Sequence, residues 1–396
     1  MVTLVNDNRY LNRKREYNEV FCDDYLNNSP KVTIISNGYV LPKSDKFLCK
    51  GGVTDYNKEF VFESSIINDG SFISIDGAYN FQELNADYVE ESVIYLGYFY
   101  KHWGHFLMDC TTRMWILCDY KYDNYKVVFP NHPGQVCDGN YKRFMELAGI
   151  SDDRLVVIDR PTKFSKILIP DEARIQPENR HMKCYYDIFD KVISNAVYNP
   201  NKISSKVYFS RGKMGKPELG ESEIEHNYMI NGYEVVFPES ISLDEQIGIF
   251  NCANEIVSQN SSICMNTVFA RQGLKWTVIN KYSAIHDAFT ELRYCKNLDL
   301  TYIDAFSEKL NFFGNKIGTL PYLVSFNDNM KKYFEDNNMK WVSFGIVYRV
   351  KNILCYLGNS AIILPKRRVN LYKAKFVRWM KRYIPKLFEI LKSMQG

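Results

Sequence analysis

Short apolar runs punctuated by Gly, Asn and Asp open the chain. Lys31 to Ile35, Phe60 to Phe62 and Phe72 to Ile75 predict short strands in a β-rich beginning. From about residue 92 the period changes. Apolar stretches at Ser92 to Phe99, Lys126 to Phe129, Leu155 to Ile158 and Ile167 to Ile169 alternate with helical patterns at Trp103 to Cys118, Tyr141 to Ala148 and Tyr185 to Val197. Such alternation predicts a parallel α/β layer.

A second series begins after Asn199-Pro200-Asn201, a linker by composition. Strands are expected at Lys206 to Ser210, Glu234 to Phe237, Glu255 to Ser258 and Trp276 to Ile279, with helices at Ser222 to Ile230, Leu243 to Cys252 and Ile263 to Ala270. Ser242 with Glu245 three positions later forms a capping box. Gly232 supplies the positive φ that closes the preceding helix. Two α/β halves joined by a linker leave a cleft between them, and open parallel sheets bind ligands at the carboxyl ends of their strands. The expected division is an α/β domain over 1–198 with its β-rich opening, a second over 202–330, and a helical extension over 331–396.

Length and composition agree with this reading. At about 150 residues per domain, 396 residues make two or three domains. With 46% hydrophobic and 24% charged residues, the chain is neither disordered, collagen-like nor coiled-coil. Aromatic residues reach 15%; most belong in the core, and those that surface in a cleft suit carbohydrate or nucleoside stacking. The first seventeen residues hold no apolar stretch, so no signal peptide is expected and the chain should stay in the cytoplasm. Ten cysteines, several in apolar runs (Cys110, Cys118, Cys252, Cys264, Cys355), read as buried thiols rather than a disulfide framework. None has zinc-ligand spacing.

The charge is uneven. From Pro365 to Gly396 ten Lys and Arg face one acid, Glu389, a local +9. The rest of the chain holds 40 bases and 45 acids, or −5. Nucleic-acid binding needs a basic face on the folded body, so a basic tail points to an anionic membrane surface or an acidic partner instead. On a helical wheel the tail from 369 to 391 is amphipathic, with Phe376, Trp379 and Leu387 on one face and Arg378, Lys381 and Lys386 on the other; Pro385 should kink it. Its apolar face either packs on the body or lies in a membrane interface.

Three segments at strand ends can carry chemistry. His102, His105 and Asp109 fall on one helical face after an apolar strand. A carboxylate one turn from a histidine orients it as a general base; the bland alternative is a polar helix start with satisfied histidines. Arg211, Gly212, Lys213, Gly215 and Lys216 make a glycine-flexed basic loop suited to phosphate oxygens, or a solvated turn. Gln259-Asn260-Ser261-Ser262 caps the following helix and brings amides to the positive end of its dipole, a seat for a diphosphate.

The chain resembles glycosyltransferase family 61, whose bacterial members occur in capsule and exopolysaccharide synthesis. The resemblance lies in an aromatic-Gly-His-Phe pattern with Asp four residues after the His and Arg four further on, here His105, Asp109 and Arg113. It continues in Tyr208-Phe209-Ser210-Arg211, Gly220-Glu221, Gly232-Tyr233, the Pro238 to Gln246 stretch, Asn260, Asn266 and Phe269. Where that pattern usually has Asn, this chain has Gly220. Asn260-Ser261-Ser262 stands in place of a His-Gly-Ala type sequence, and the second arginine of the loop is represented by Lys213 or Lys216.

The resemblance implies the GT-B arrangement of two Rossmann-like domains facing a cleft, and inversion at the sugar's anomeric carbon. His105 or Asp109 is then the base. Arg211, Lys216 and the turn Asn260-Ser261-Ser262, with Asn266, face the donor nucleotide without an obligatory metal or other cofactor. Glu221 either binds the ribose or caps its helix. The expected substrates are a nucleotide-sugar and a glycan, lipid-linked and met at the inner face of the membrane in surface polysaccharide synthesis. A pyruvyl or phosphate transferase and a non-catalytic carbohydrate-binding protein of the same fold are the alternatives.

Overall fold

A computed structural model describes residues 9–12, 29–43, 49–66, 74–175, 180–214, 218–310 and 321–383. The first sheet combines β1 (Val32–Ser36), β2 (Tyr39–Leu41), β3 (Gly52–Thr54), β4 (Asp87–Tyr95), β5 (Lys126–Val128), β6 (Leu155–Val156) and β7 (Thr162–Pro170) in the order β3-β2-β7-β4-β5-β6, with β1 also on β7. β7, β4, β5 and β6 run parallel, whereas β1 and β2 meet β7 antiparallel. Val93, Ile94 and Tyr95 end β4 between two parallel neighbours. All three are buried, as a strand covered on both faces requires. Of the expected opening strands, Phe60 forms only an isolated bridge to Thr54 and Ile75 one to Ile66; Phe72 lies outside the described residues.

A small antiparallel pair, β8 (Arg174–Ile175) and β9 (Arg180–His181), follows. The second sheet is parallel throughout, built from β10 (Lys206–Phe209), β11 (Glu234–Val236), β12 (Glu255–Gln259), β13 (Lys275–Asn280) and β14 (Asp299–Asp304) in the order β11-β10-β12-β13-β14. The chain winds to one side from β10 to β11 and then back to the other with β12. That reversal opens a crevice beyond the carboxyl ends of β10 and β12.

The helices are α1 (Gly139–Leu147), α2 (Asp187–Asn195), α3 (Glu221–Met229), α4 (Leu243–Cys252), α5 (Asp287–Cys295), α6 (Asp328–Asp336) and α7 (Gly345–Tyr383). The capping box on α4 is formed in both directions, Ser242 with Glu245, and Gly232 takes φ +82°. One apolar cluster runs from Phe144 and Phe189 of the first half to Phe250, Val268 and Phe269 of the second, so the halves share a core. Phe189 meets Phe269 edge to face at 5.9 Å, and Arg143 clamps Asp244 at 2.8 and 2.9 Å.

Residues 9–12 lie on the second sheet, where the Asp304 N–H donates to Tyr10 O and Tyr10 Oη to Asp336. The base of α7 is tied to α3 through Asn227 and Glu223, which accept from the N–H groups of Val342 and Phe344. Beyond it α7 exposes Ile346, Val347, Val350, Leu354 and Leu357, and it continues through Pro365. Residues 384–396 and the side chains from 367 on lie outside the described ones, and with them the expected tail faces and Pro385. No helix among the described residues is long and apolar enough to cross a membrane. Of the five thiols expected to be buried, Cys110 and Cys264 are, Cys252 is half-buried, and Cys118 and Cys355 are exposed, because the 103–118 segment does not wind as one helix and α7 stands out from the body.

Candidate active site

After β4 the chain turns through Gly97, whose φ of +90° favours glycine, and reaches His102. His102 caps the single turn Trp103–His105, its Nδ1 accepting from the His105 N–H. Phe106–Cys110 then widen into a π turn and Met114–Cys118 tighten into a 3₁₀ helix, where the sequence predicts one continuous helix. Two threonines account for the break. Thr111 Oγ1 donates to Leu107 O at 2.7 Å and Thr112 Oγ1 to Asp109 O at 3.4 Å, competing for carbonyls a regular helix would pair with amides. The expected helix after Asn260 is likewise a 3₁₀ helix, Ser262–Phe269, with Thr267 Oγ1 bonded back to Cys264 O.

Asp109 still reaches His105, Oδ2 to Nδ1 at 2.7 Å. Its other oxygen accepts from Arg174 Nη1 at 3.3 Å. Arg174 also donates to Met108 O, and through Nε and Nη2 to the Glu291 carboxylate at 2.9 Å. Arg174 and Glu291 are fully buried, so Asp109 is held from behind. The side chains of His105 and Asp109 are 37% and 6% exposed, which leaves the imidazole as the group facing the cavity. Burial, and next the neighbouring His105, lower the pKa of His102 and favour its neutral ring.

The opposite wall begins at Arg211, just past β10. Its Nε donates to both oxygens of Glu218 at 2.8 Å, and Lys281 Nζ, the first residue after β13, donates to the same carboxylate at 2.5 Å. Two cations on one buried carboxylate leave one net positive charge at the cleft. Burial pushes the Lys281 pKa down against the pull of Glu218. Asn260 is fixed through Nδ2 to Asn280 Oδ1 and Ala284 O, while Tyr282 Oη donates to its Oδ1. The turn it steadies presents Ser261 and the start of the 3₁₀ helix, whose first N–H groups have no partner within the helix. Ser261 Oγ is itself buried without a hydrogen-bond partner among the described residues.

These walls enclose a cavity of about 250 Å³, lined by His105, Asp109 and Arg174 on one side and Arg211, Ser261, Ser262 and Lys281 on the other. Asn260 lines it too. Glu221 does not: it is 2% exposed in the first turn of α3, where it accepts from the Arg211 N–H at 2.9 Å and from Tyr208 Oη. Burial raises its pKa to about 7. Asn266 is also off the cavity, joining Trp103 Nε1 at 2.5 Å to Gln246 Oε1 at 2.9 Å. Lys216 lies outside the described residues, and Lys213 sits over the Phe237 ring at 4.1 Å. Arg113 is buried and donates to Pro170 O and Ser65 O, anchoring its turn to β7.

Sequence reasoning missed Arg174, Glu218, Lys281 and Glu291. Lys281 alone had a signal, its place directly after an apolar strand. Gly220, where the family pattern usually has Asn, has φ +89°, and a Cβ there would come within 2.0 Å of Val324 O. Among the described residues no group of three or more His, Cys, Asp or Glu is arranged to hold a metal ion.

The family model described as Glycosyltransferase 61 matches residues 103–279, from the turn that carries His105 to the end of β13. That match, over somewhat less than half of the chain, supports a glycosyltransferase of family 61. No curated protein matches the chain.

Proposed function

We propose that the cleft moves a sugar, with inversion at its anomeric carbon, from a nucleotide-sugar donor to a hydroxyl of a glycan acceptor. One observation carries the reading: a histidine aligned by a carboxylate faces two cations and a helix start across a single cavity. The acceptor oxygen attacks the anomeric carbon, and its proton passes to His105. The bond from that carbon to the diphosphate oxygen breaks with its electron pair, and a nucleoside diphosphate departs.

His105 Nδ1 is turned to Asp109, so Nε2 is the nitrogen that takes the proton. Asp109, with both oxygens engaged, orients the ring and stabilises the imidazolium. Charge developing on the diphosphate meets Arg211, Lys281 and the amides that open the Ser262 helix. These fixed charges do the work of a divalent cation, and the reading includes no obligatory metal. In this reading Lys281 takes the part expected of Lys213 or Lys216.

In this reading the acceptor is a lipid-linked glycan of surface polysaccharide synthesis, met at the inner face of the membrane. The exposed apolar residues of α7 and the basic tail that follows support it, since apolar contact and cationic charge together suit an anionic lipid interface. A panel of sugar nucleotides tests the chemistry. Slow release of nucleoside diphosphate from one of them is expected, lost in His105→Ala and unchanged by EDTA. Release from none, with transfer from a pyruvyl or phosphoryl donor instead, points to another transferase; neither binding nor turnover points to a carbohydrate-binding protein.

A further inference from the structure

His105 and Asp109 belong to the first half of the molecule, yet the carboxylate at the far end of their hydrogen-bond chain belongs to the second. That chain runs from His105 Nδ1 to Asp109 Oδ2 at 2.7 Å, from Asp109 Oδ1 to Arg174 Nη1 at 3.3 Å, and from Arg174 Nε and Nη2 to Glu291 of α5 at 2.9 Å. We infer that Glu291 is a positioning residue of the transfer reaction: by balancing the charge of Arg174 it lets Asp109 act on His105 as a full negative charge, so the second half of the molecule sets the basicity of the general base in the first. The inference rests on the proposed reaction, in which His105 takes the acceptor's proton.

Once His105 is protonated, the groups along this chain alternate in sign: imidazolium, carboxylate, guanidinium, carboxylate. Arg174 brings geometry and an electrostatic cost together. Its Nη1 also donates to Met108 O at 3.0 Å, which ties it to the π turn that carries Asp109. A guanidinium is charged at every working pH, so alone it would cancel the Asp109 carboxylate and leave the imidazolium without a counter-charge. Glu291 removes that cancellation. The side chains of Arg174, Glu291 and Asp109 are 1%, 0% and 6% exposed, and charges so buried are weakly screened and felt beyond their direct contacts. Tyr185, Tyr186 and Cys295, titratable neighbours of the pair, are kept neutral by burial, which pushes their pKa values up, and Lys296 is answered by Asp190 at 3.4 Å. Around His105 stand Tyr100, edge-on at 5.8 Å, His102 at 4.8 Å, which burial keeps neutral, Asp109, and across the cavity Arg211, Lys281 and His286. These stay in place when Glu291 alone is altered, so a change at His105 reports the path through Arg174.

Histidine labelled with ¹³C at Cε1 gives one ring signal for each of the six histidines, and the signal lost in His105→Ala identifies the base. Its titration midpoint is followed by NMR on the full chain, beside the pH profile of nucleoside diphosphate release from the sugar nucleotide that the panel selects. Glu291→Gln keeps an oxygen acceptor for Arg174 and removes the charge. It should lower the midpoint by about one pH unit, and the acid limb of the rate should move down with it. Arg174→Met combined with Glu291→Leu removes both charges and strands neither. That double variant should raise the midpoint above the wild-type value by about half a unit, because Asp109 loses the nearer cation, and it carries the test alone if Glu291→Gln does not fold. A midpoint and acid limb unmoved in the variants that fold, with only the rate or the melting temperature lowered, is the mark of a structural ion pair and overturns the inference; so does a midpoint lowered in the double variant. A wild type that releases nucleoside diphosphate from no member of the panel, with the midpoints shifted as stated, overturns the transfer reading and leaves the charge path from Glu291 to His105 standing.

Discussion

The wall of the cleft that follows β4 carries its reactive side chains on one short stretch, His102 to Asp109, whereas the opposite wall gathers Arg211, Ser261 and Lys281 from the ends of three strands. Behind the first wall sits a closed ion pair, Arg174 with Glu291, that faces away from solvent and fixes Asp109. Behind the second sits Glu218, which binds two cations at once and leaves positive charge over for the cleft. The first is neutralised and rigid, as a proton acceptor's support must be. The second is cationic, as a seat for a leaving diphosphate must be. A shared apolar core locks the two walls together, so the cavity between them is set by packing and not by a linker.

The sharpest way to break this contrast is to remove the proton acceptor. His105→Ala should lower the transfer rate by about 10²- to 10⁴-fold with an unchanged circular dichroism spectrum, and Asp109→Asn should do nearly as much if the pair acts as one. A full rate in both would take the chemistry away from this wall. Next in size is the support behind it. Glu291→Ala strands the buried Arg174 guanidinium and should cost about 3–5 kcal/mol of stability, read as a lowered midpoint in denaturant. On the second wall, Arg211→Ala should weaken nucleoside diphosphate binding by about 1.5–3 kcal/mol in calorimetry with the fold intact, a binding effect where Glu291→Ala gives a folding one.

The smallest effect is one of pH. The folded-state pKa of Glu221, about 7, lies above its ordinary 4.5, so the folded chain holds a proton that the unfolded chain has released. The stability it contributes is therefore present below the ordinary carboxylate range and lost as pH rises through 7. Glu221→Gln should flatten the melting temperature between about pH 5 and 8. A slope equal to that of the wild type would mean that Glu221 is ionised in the fold and that its bond to the Arg211 amide is made by a carboxylate.

Much of this molecule follows from local sequence. Hydrophobic alternation places four of the five strands of the second sheet, all but β14, and the Ser242 and Glu245 spacing places the start of α4, because strand burial and helix capping are decided within a few residues. His105 and Asp109 are legible for the same reason: four residues of winding bring them together even where the turn widens. The site as a whole is a different matter. Lys281 stands 63 residues from Glu218, and Arg174 stands 117 from Glu291; no periodicity ties either pair. Only the order of the parallel strands puts β13 beside β12, and only the core shared by the two halves brings β8 against α5. Glu221 shows the reverse: its sequence position suits a ligand, yet tertiary packing turned it inward to hold the Arg211 backbone. Sequence decides which side chains can do chemistry and on which element each rides. Which of them share a cavity depends on contacts across the chain, and those are selected by burial of the whole apolar surface at once.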